Sequence, residues 1–388
     1  MIARWESRVE RMNGQEQIFY RPTWAEVDLD ALRHNFRHIK GMAGRKTKIL
    51  SVIKADAYGH GMIRVAKVLN EKGADFFGVA DIREAISLRL AGIKKPIVIF
   101  ENTLPIFAKQ IVQFDLRPSI SSWGLAISLN RYARSRGKHI FIHVKIDTGM
   151  GRLGVWHRDA MEFVRRLKTL SHVHCEGLMT HFAAADTDEH FTQSQTANFM
   201  RLLDNLRQHT IVFPYVHAAN SIGFIEQPND YFNLVRPGLI LYGLYPTPRL
   251  KSKIALKPVL SIKSRINFLK NVERGRNISY GRTFVTQRPS VIATLPIGYN
   301  DGYFRCFSNN AFVLVRGRRC PVVGRVTMDQ LMIDVTDVVN PKIGAEVVLL
   351  GRQGQHAITA DELALRAKTI NYEITCSLGN RIPRVYRS

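Results

Sequence analysis

The apolar positions in the first two thirds of the chain fall into short runs separated by stretches of helical periodicity. Runs of this kind are typical of parallel strands buried on both faces, and eight of them cover residues 48–53, 76–80, 96–100, 117–121, 139–146, 175–181, 212–218 and 234–241. Helix signals lie between them, such as Asp81 followed by Glu84, the spacing of a capping box. This series of strand–helix units predicts an α/β fold, a TIM (β/α)8 barrel.

An open, doubly wound sheet is the alternative to the barrel, but no Gly-rich dinucleotide-binding motif follows the first strand. After residue 255 the pattern changes to short alternating strands with one late helix, which begins at Thr359 and Glu362; the strands cover 260–267, 290–296, 311–315, 331–335 and 346–349. We therefore predict a polar extension over residues 1–20, a barrel over 21–255 and a mostly-β C-terminal domain over 256–388. A Pro- and Lys-containing linker is expected at 245–258.

Charge is the unusual feature of the composition. The chain has 56 basic and 32 acidic residues, a formal net charge of +24. Such a balance favours anionic partners, yet no helix-turn-helix, zinc-finger or RNA-binding motif accompanies it, and the basic residues cluster only loosely. A basic surface without a dedicated partner is the preferred interpretation, and nucleic-acid binding is the less favoured one.

The cysteines and the N-terminus bear on localisation. Four cysteines occur without a C-x-x-C pair, so free thiols are expected and a metal site is not. The first 20 residues contain no apolar core of a secretory signal, and no run of about 18 apolar residues could span a membrane. These observations predict a cytoplasmic protein.

In a TIM barrel the chemistry lies at the C-terminal ends of the strands. The first predicted strand leads into Lys54, and a desolvated lysine loses its charge readily and becomes an amine nucleophile suited to a Schiff base. The fifth leads into the glycine-rich segment 147–154, where glycines allow close approach of a ligand and Arg152 offers a fork for an oxyanion. Each signal alone also has a plain interpretation, namely a solvated lysine or a surface turn.

The ends of the seventh and eighth strands predict a phosphate site, because barrels commonly bind phosphate there. Ser221 and the backbone at Gly238 and Leu239 would supply neutral donors. A lysine and a phosphate cradle around one barrel mouth indicate a phosphorylated cofactor held as an imine, which is pyridoxal 5'-phosphate.

Several motifs together resemble the alanine racemase family, whose members are pyridoxal-phosphate-dependent barrel enzymes of the type III class. The segments are KADAYGHG at 54–61, DTGMGR at 147–152, VRPG at 235–238, SYG at 279–281 and LPIGYNDG at 295–302. The resemblance runs in register from about residue 22 to the end. In combination the motifs are highly specific, whereas the lysine motif alone would also suit related barrel enzymes.

The resemblance implies roles for residues of the barrel. Lys54 would bind the cofactor covalently and act as one base. The phosphate would be bound by Tyr58, Ser221, Tyr372 and the backbone of Gly238 and Leu239. Arg236 would face the pyridine nitrogen with His181 supporting it from behind, and Arg152 would contact the cofactor's phenolic oxygen and the substrate carboxylate. Lys145 matches a position that can be carbamylated in the family.

The resemblance also implies roles for the second domain. Tyr280 would be the second base and would come from a partner subunit together with Met328, whose backbone would meet the substrate carboxylate, so a homodimer is expected. Residues of an access channel and its rim would be Tyr299, Tyr372, Arg305 and Arg325. Two positions depart from common family residues: Thr327 stands where cysteine is frequent, and Asp56 where asparagine is also common.

The function that the sequence predicts is alanine racemisation by a two-base mechanism, supplying D-alanine for peptidoglycan. The alternatives on the same scaffold are a racemase of serine, lysine or a broad set of amino acids, and a barrel-fold decarboxylase. A non-catalytic barrel that carries the cofactor and binds nucleic acid is the alternative that the net charge favours.

Overall fold

A computed structural model describes residues 9–12, 15–18, 21–227 and 232–388 of the chain. The chain forms two compact units, one comprising Asp30–Lys257 and the other Met1–Leu29 together with Pro258–Ser388. Within the predicted N-terminal extension, strands Val9–Met12 and Gln15–Ile18 pair antiparallel. The other positions of that extension lie outside the described residues.

The first unit is built on eight parallel strands that form a nearly closed barrel. In chain order they are Lys48–Val52, Phe76–Val79, Ile97–Ile99, Arg117–Ile120, Ile140–Asp147, Val173–Met179, Tyr215–His217 and Leu234–Val235. Their spatial order is 7-6-5-4-3-2-1-8. Backbone hydrogen bonds from Asn233 N to Val216 O and from Arg236 N to Ala219 O join the seventh strand to the eighth.

One helix precedes the first barrel strand and the other seven each follow a strand, and most of them bury an apolar face, as amphipathic helices around a parallel sheet do. They are Leu29–Ala43, Met62–Glu71, Ile82–Leu90, Ala108–Gln113, Trp123–Ser135, Ala160–Lys168, Glu189–Gln208 and Ser221–Glu226. The predicted capping residue Asp81 accepts a hydrogen bond from Glu84 N at 2.9 Å. Among the described residues no helix is both long and apolar enough to cross a bilayer, and the four cysteines are free thiols, as predicted.

The predicted barrel is confirmed, and all eight predicted strands are present. Six are shorter than predicted, whereas the fifth and sixth keep the predicted length and are shifted by one or two residues. The interpretation of residues 234–241 as one strand was wrong beyond Val235. The segment after Pro237 instead turns into a 3-10 helix, Leu239–Tyr242, which begins after Gly238. The predicted linker contains another 3-10 helix, Pro248–Ser252.

The second unit is mostly β. Its largest sheet has the path Arg318–Pro321, Phe312–Val315, Glu346–Gln353, Leu260–Arg265, Thr23–Asp28 and Arg384–Arg387, with His356–Ile358 added to Glu346–Gln353. A smaller sheet contains Phe268–Val272, Ser290–Leu295 and Leu331–Asp334, and a third pairs Asn277–Ile278 with Phe284–Val285. Its helices are Ala360–Ala367, where Thr359 accepts from Glu362 N as predicted, and Asn371–Cys376.

The predicted barrel boundary at residue 21 differs from the structure. Strand Thr23–Asp28 pairs antiparallel with Leu260–Arg265 and parallel with Arg384–Arg387, so it belongs to the β unit. It lies between two strands of that unit and carries a mostly buried pattern. The chain therefore begins the second unit, builds the entire barrel, and then returns to complete the second unit.

Candidate active site

Lys54 follows the first barrel strand and begins a left-handed turn. The four residues Ala55, Asp56, Ala57 and Tyr58 have φ values of 53°, 52°, 56° and 54°. No glycine relieves this segment, and each such residue costs about 1 to 2 kcal/mol relative to the right-handed conformation. Consecutive strained residues persist only where the surroundings determine them, and such places concentrate at functional sites.

Hydrogen bonds from outside the turn hold it in this conformation. The carboxylate of Glu84 accepts from Ala55 N at 2.6 Å, and Asp56 Oδ1 accepts from Met62 N at 2.8 Å. The second oxygen of Glu84 accepts from Ala80 N at 2.8 Å. Sequence reasoning treated Glu84 as half of a capping box; in the structure its side chain fixes the segment after Lys54.

Tyr58 and Ser221 converge on Gly238. Gly238 N donates to Ser221 Oγ at 3.0 Å, and a Cβ atom on Gly238 would lie 2.6 Å from Tyr58 Oη. Only glycine therefore leaves room for the Tyr58 hydroxyl here. Leu239 begins the following 3-10 turn, and the first N–H groups of a helical turn have no acceptor inside it. Two hydroxyls and these backbone donors form a cradle suited to a phosphate.

Arg236 is the buried cation of the barrel mouth, with 4% of its surface exposed. Its Nη2 donates to the carbonyl oxygens of Thr180 and Ala218 at 2.9 and 2.7 Å. Among the described residues Arg236 has no carboxylate partner, and burial lowers its pKa to about 9. A guanidinium without a counter-ion is costly to bury, so the site favours an anionic or electron-rich ligand.

Two histidines contact Arg236. Its Nη2 lies 3.0 Å from His181 Nδ1, and its Nη1 lies 2.9 Å from His217 Nδ1. His181, which was predicted to support Arg236, thus lies next to it. His217 was missed as a partner, although its position at the end of the seventh strand was the available signal. Burial, followed by the charge of Arg236, lowers the pKa of both rings well below the ordinary value, so both are neutral.

Positive charge is concentrated at this mouth. Burial, followed by the charges of Arg236 and Arg152, lowers the pKa of Lys145 to about 7. The charges of Arg236, Lys145, Arg152 and Lys54 also act on His181, which means that the structure brings these predicted residues together. Asp147 offsets them in part. The arrangement favours ligands with several negative charges.

Two of the glycines after the fifth strand are also required by packing within the protein. A Cβ on Gly154 would lie 2.6 Å from Asp147 N, and one on Gly149 would lie 2.9 Å from the Phe191 ring. These glycines allow the loop to pack on its own strand and on a helix. Gly151 has a φ of 68° and no atom within 4 Å of its Cβ position. Arg152, which follows Gly151, is exposed.

Gln195, in helix Glu189–Gln208, is a further residue that sequence reasoning missed. It is fully buried, and its Nε2 donates to Thr148 Oγ1 and to His181 O, both at 3.1 Å. Its Oε1 accepts from Ala183 N at 2.9 Å. Gln195 therefore joins the loops after the fifth and sixth strands. No sequence signal distinguishes it from other polar residues of its helix.

In the second unit, Tyr280 lies in a strained turn with its side chain 75% exposed. Ser279 and Gly281 on either side have φ values of 65° and 70°. Ser279 Oγ donates to Arg325 O at 2.7 Å, and a Cβ on Gly324 would lie 2.6 Å from Ile278 O. The backbone of the turn is therefore fixed, although the ring it carries is not covered by its own unit.

Met328 and Tyr299 form a second exposed pair, with 52% and 42% of their surfaces accessible. Tyr299 N donates to Thr327 O at 2.9 Å and Asn300 N to Met328 O at 3.2 Å. Thr327, the residue that departs from the family pattern, accepts from Gln330 N through Oγ1 at 3.1 Å. These bonds bring together the loops that carry two predicted site residues.

Asp301 stabilises the loop that carries Tyr299. Its role was not identified from the sequence. It is fully buried and accepts from both Nη atoms of Arg21 at 2.5 and 2.7 Å. It also accepts from Arg381 Nε at 3.1 Å and from Gly298 N at 2.9 Å. Because a buried carboxylate needs such partners, Asp301 fixes the segment in which Tyr299 lies.

The remaining predicted residues also lie in the second unit. Tyr372 is half-buried in helix Asn371–Cys376, and Ser377 Oγ at the end of that helix donates to Gly302 O at 3.2 Å. Arg305 is exposed in a 3-10 turn, and Arg325 is half-buried. The predicted phosphate contact of Tyr372 and the channel roles of these residues stay predictions.

The barrel mouth fits the predicted cofactor. The cradle at Gly238, which a Cβ would fill, matches a phosphate, and the buried Arg236 without a carboxylate matches an electron-rich ring atom. Lys54 lies within the electrostatic range of the same cluster. The chemistry of these donors therefore agrees with pyridoxal phosphate.

Comparisons with known proteins agree with the motifs. Residues 27–246 match the family described as "Alanine racemase, N-terminal domain", and residues 259–386 match "Alanine racemase, C-terminal domain". The chain is 48% identical over 369 residues to the alanine racemase of Halothermothrix orenii, covering 95% of this chain and 97% of that protein.

Solved structures give the same result. The alanine racemase of Clostridium difficile 630 superposes with a TM-score of 0.90 at 38% identity, covering 94% of this chain and 96% of that one. The alanine racemase of Bartonella henselae, described with covalently bound pyridoxal phosphate, superposes with a TM-score of 0.82 at 28% identity, covering 94% and 99%.

Proposed function

The chain belongs to the alanine racemase family, and on that premise we propose that it interconverts L-alanine and D-alanine with pyridoxal phosphate as its cofactor. The observation that carries the proposal is the barrel mouth, where Lys54, the Gly238 cradle and the buried Arg236 occur together. The B. henselae relative with covalently bound pyridoxal phosphate supports the choice of cofactor.

Lys54 would bind the cofactor and then act as a base. When bound, pyridoxal phosphate supplies an electron sink that stabilises negative charge at the substrate Cα atom. Lys54 Nζ would accept the Cα proton on one face of the substrate and return it there in the opposite direction. The left-handed turn after Lys54 restricts its backbone and so limits the positions that Nζ can occupy.

Tyr58, Ser221 and the backbone N–H groups of Gly238 and Leu239 would bind the phosphate. Arg236 would direct a hydrogen bond at the pyridine nitrogen while keeping its own proton. Even a pKa of about 9 leaves the guanidinium charged at neutral pH. The pyridine nitrogen would then stay unprotonated, which weakens the electron sink and disfavours side reactions such as transamination. The histidines His181 and His217 would keep the guanidinium in place.

Racemisation requires a second base on the opposite face of the substrate, and we assign this role to Tyr280 of a second copy of the chain. The high exposure of its side chain on a fixed backbone supports the assignment. A tyrosine whose backbone is fixed and whose ring is exposed can extend into the active site of a second copy. Arg152 would bind the substrate carboxylate, and the backbone of Met328 from the second copy would do the same. The active assembly would be a homodimer.

Several finer roles follow from the family resemblance. The lowered pKa of Lys145 leaves a large neutral amine fraction at neutral pH, and the neutral amine is the form that reacts with carbon dioxide to give a carbamate. Tyr299, Tyr372, Arg305 and Arg325 would line the access channel. We place the enzyme in the cytoplasm, where its D-alanine would supply peptidoglycan.

The test is chiral chromatography of the purified protein with pyridoxal phosphate and, separately, L-alanine, L-serine and L-lysine. We expect D-alanine to form fastest. Faster racemisation of serine or lysine would retain the mechanism but change the substrate. Carbon dioxide release instead of racemisation would indicate a decarboxylase. Cofactor bound to Lys54 without any turnover would indicate a carrier, and steeply salt-dependent binding of nucleic acid would support that interpretation.

A further inference from the structure

The hydrogen bonds that begin at Arg236 continue into the barrel interior. His217 Nε2 lies 2.8 Å from His143 Nδ1, and both rings are completely buried. His143 lies on the fifth strand and His217 on the seventh. The sequence motifs assign no role to either ring. Two buried imidazoles that are hydrogen-bonded to each other and to Arg236 need an explanation, because buried polar groups normally have defined partners.

The direction of these hydrogen bonds follows from chemistry. Arg236 has only donors, so its Nη1 donates and His217 Nδ1 accepts. The neutral His217 ring then carries its proton on Nε2 and donates it to His143 Nδ1. His143 in turn must carry its proton on Nε2. Burial, which is the largest influence on the pKa of both rings, keeps them neutral and supports this sequence of donors.

The last donor in this series of hydrogen bonds, His143 Nε2, lies near Glu176. His143 Nε2 lies 3.6 Å from Glu176 Oε2 and has no hydrogen-bond acceptor among the described residues. Burial tends to raise the pKa of Glu176, but His143 and Arg117 together lower it below its ordinary value. Glu176 is therefore a carboxylate, and its Oε2 lies just beyond hydrogen-bond distance of the unsatisfied N–H group.

The backbone places Glu176 there. The pairing of the fifth and sixth strands shifts by one residue between Cys175 and Gly177, which makes Glu176 the extra residue of a β-bulge. Bulges redirect side chains. A Cβ on Gly177 would overlap the His143 ring, so only glycine at this position leaves room for the imidazole.

Arg117 holds the carboxylate from the neighbouring fourth strand. Its Nε lies 3.2 Å from Glu176 Oε2, and its Nη1 lies 2.6 Å from Asp115 Oδ1. Asp115 thus contacts the same arginine as Glu176 but, among the described residues, neither of the two histidines. This difference provides a matched control.

We propose that His143 and Glu176 are positioning residues: Glu176 accepts from His143 and, through the two neutral imidazoles, provides the remote counter-charge that holds the Arg236 guanidinium in place. This inference rests on the proposed function only for its effect on turnover. Its structural part concerns the protein without cofactor and can be tested there.

The first measurement is 15N NMR of the histidine-labelled protein free of cofactor at pH 7. We expect His143 and His217 each to be neutral and protonated on Nε2. A ring protonated on Nδ1, or on both nitrogens, would overturn the proposal. This measurement needs no variant at Glu176, so it can overturn the proposal even where a variant does not fold.

The second measurement compares Glu176→Gln with the control Asp115→Asn. Removing the direct hydrogen-bond partner of a metal ligand typically lowers activity or affinity by about 10- to 100-fold. Two imidazoles separate Glu176 from Arg236, so we expect a smaller effect: E176Q should lower kcat by about three- to tenfold, with the KM for alanine within about twofold of wild type. It should also move the 15N resonances of His143 and His217 in the cofactor-free protein and shift the absorption band of bound cofactor. D115N should leave all of these at wild-type values.

The outcomes are distinct. Wild-type kcat and unmoved His217 resonances in E176Q would overturn the proposal, as would equal effects in D115N. Shifted His143 and His217 resonances in E176Q, together with a wild-type protein that has no racemase activity, would support the hydrogen-bonded series from Glu176 to Arg236 and refute the proposed function. Moved resonances together with a lowered kcat would support both.

Discussion

The barrel mouth and the surface around Tyr280 carry the two proposed bases, but they are built in different ways. At the mouth, Ser221 and Arg236 are 5% and 4% exposed, and partners from their own unit fix their side chains. At the other surface the backbone is equally constrained, with positive φ at Ser279 and Gly281, yet the Tyr280 side chain is 75% exposed.

This difference shows which parts of the site each unit can organise alone. The barrel positions both the backbone and the side chains of its residues, so its geometry exists before any partner binds. The second unit fixes the backbone of the Tyr280 turn but leaves the ring largely exposed, so in the proposed dimer the second copy would set the rotamer of that tyrosine. Changes at the mouth should therefore affect cofactor binding, whereas changes at Tyr280 should affect turnover alone.

The largest expected effect is that of Lys54→Ala. This change removes one base and the covalent attachment of the cofactor, so racemisation should fall by about 10⁴-fold. The absorbance of the lysine-bound cofactor should disappear, as measured in the visible spectrum of the reconstituted protein. Retention of that absorbance would mean that another lysine binds the cofactor.

Tyr280→Phe should lower racemisation by about 10² to 10³-fold, because it removes the proton carrier of one face. Cofactor affinity should not change, and the free energy of unfolding should change by less than about 0.5 kcal/mol because the side chain is exposed. In D2O, Cα proton exchange should continue for one enantiomer and stop for the other. Tyr132→Phe, on an outer helix of the barrel, is the control. Unchanged exchange of both enantiomers would exclude Tyr280 as a base.

Mixing the two variants tests whether Tyr280 acts across subunits. In a heterodimer of K54A and Y280F one site would have both bases intact, and half of the dimers in a randomised equal mixture would be heterodimers. Activity should therefore return to about a quarter of the wild-type value. No recovery after verified subunit exchange would mean that both bases come from one chain, and the contrast between the two regions would need another cause.

Gly238→Ala should weaken cofactor binding by about 10- to 100-fold, because the new Cβ displaces the Tyr58 hydroxyl and a hydrogen bond to a charged group contributes about 1.5 to 3 kcal/mol. Fluorescence titration of the cofactor-free protein measures the affinity. Gly41→Ala, at a helix position with no atom within 4 Å of the Cβ, is the control. Equal affinities of wild type and G238A would show that Tyr58 does not bind the phosphate.

The last expected effect, which is the smallest when measured per pH unit, concerns Lys145, whose pKa is about 7 when folded and 10.5 in its ordinary state. Between these pH values the unfolded chain holds this proton more tightly, so the free energy of unfolding gains up to about 1.4 kcal/mol per pH unit as pH rises. The stability advantage of Lys145→Met over wild type should be largest below pH 7 and should shrink as pH rises towards 10.5.

Urea unfolding of the cofactor-free protein in carbon-dioxide-free buffer measures this difference. Lys109→Met, at an exposed helix position, controls for general charge effects and should show no such slope relative to wild type. A constant difference between K145M and wild type across this pH range would show that Lys145 titrates normally.

Sequence reasoning located the barrel residues because strand ends are recognisable. Lys54, Ser221, Arg236 and Gly238 follow apolar runs, and the preference of barrels for phosphate after the last two strands connected them. The roles of Tyr280 and Met328 came from resemblance alone, since nothing in the local pattern distinguishes an exposed tyrosine that serves a partner from one that does not.

The features that were missed depend on contacts distant in sequence. The left-handed turn after Lys54 contains no glycine, and its stability depends on Glu84, 29 positions away. The bulge at Glu176 appears only once the fifth and sixth strands are paired. The strand Phe268–Val272 is mostly exposed and does not alternate, so no apolar pattern marks it.

The position of strand Thr23–Asp28 has a consequence for synthesis on the ribosome. Its two sheet neighbours, Leu260–Arg265 and Arg384–Arg387, are both translated after the entire barrel. At about 5 to 20 residues per second, this mostly buried strand waits roughly ten seconds or longer for its first partner and longer still for its second. The barrel can fold during translation, whereas the β unit can only be completed afterwards, and until then an apolar strand with two open edges is available to chaperones and to aggregation.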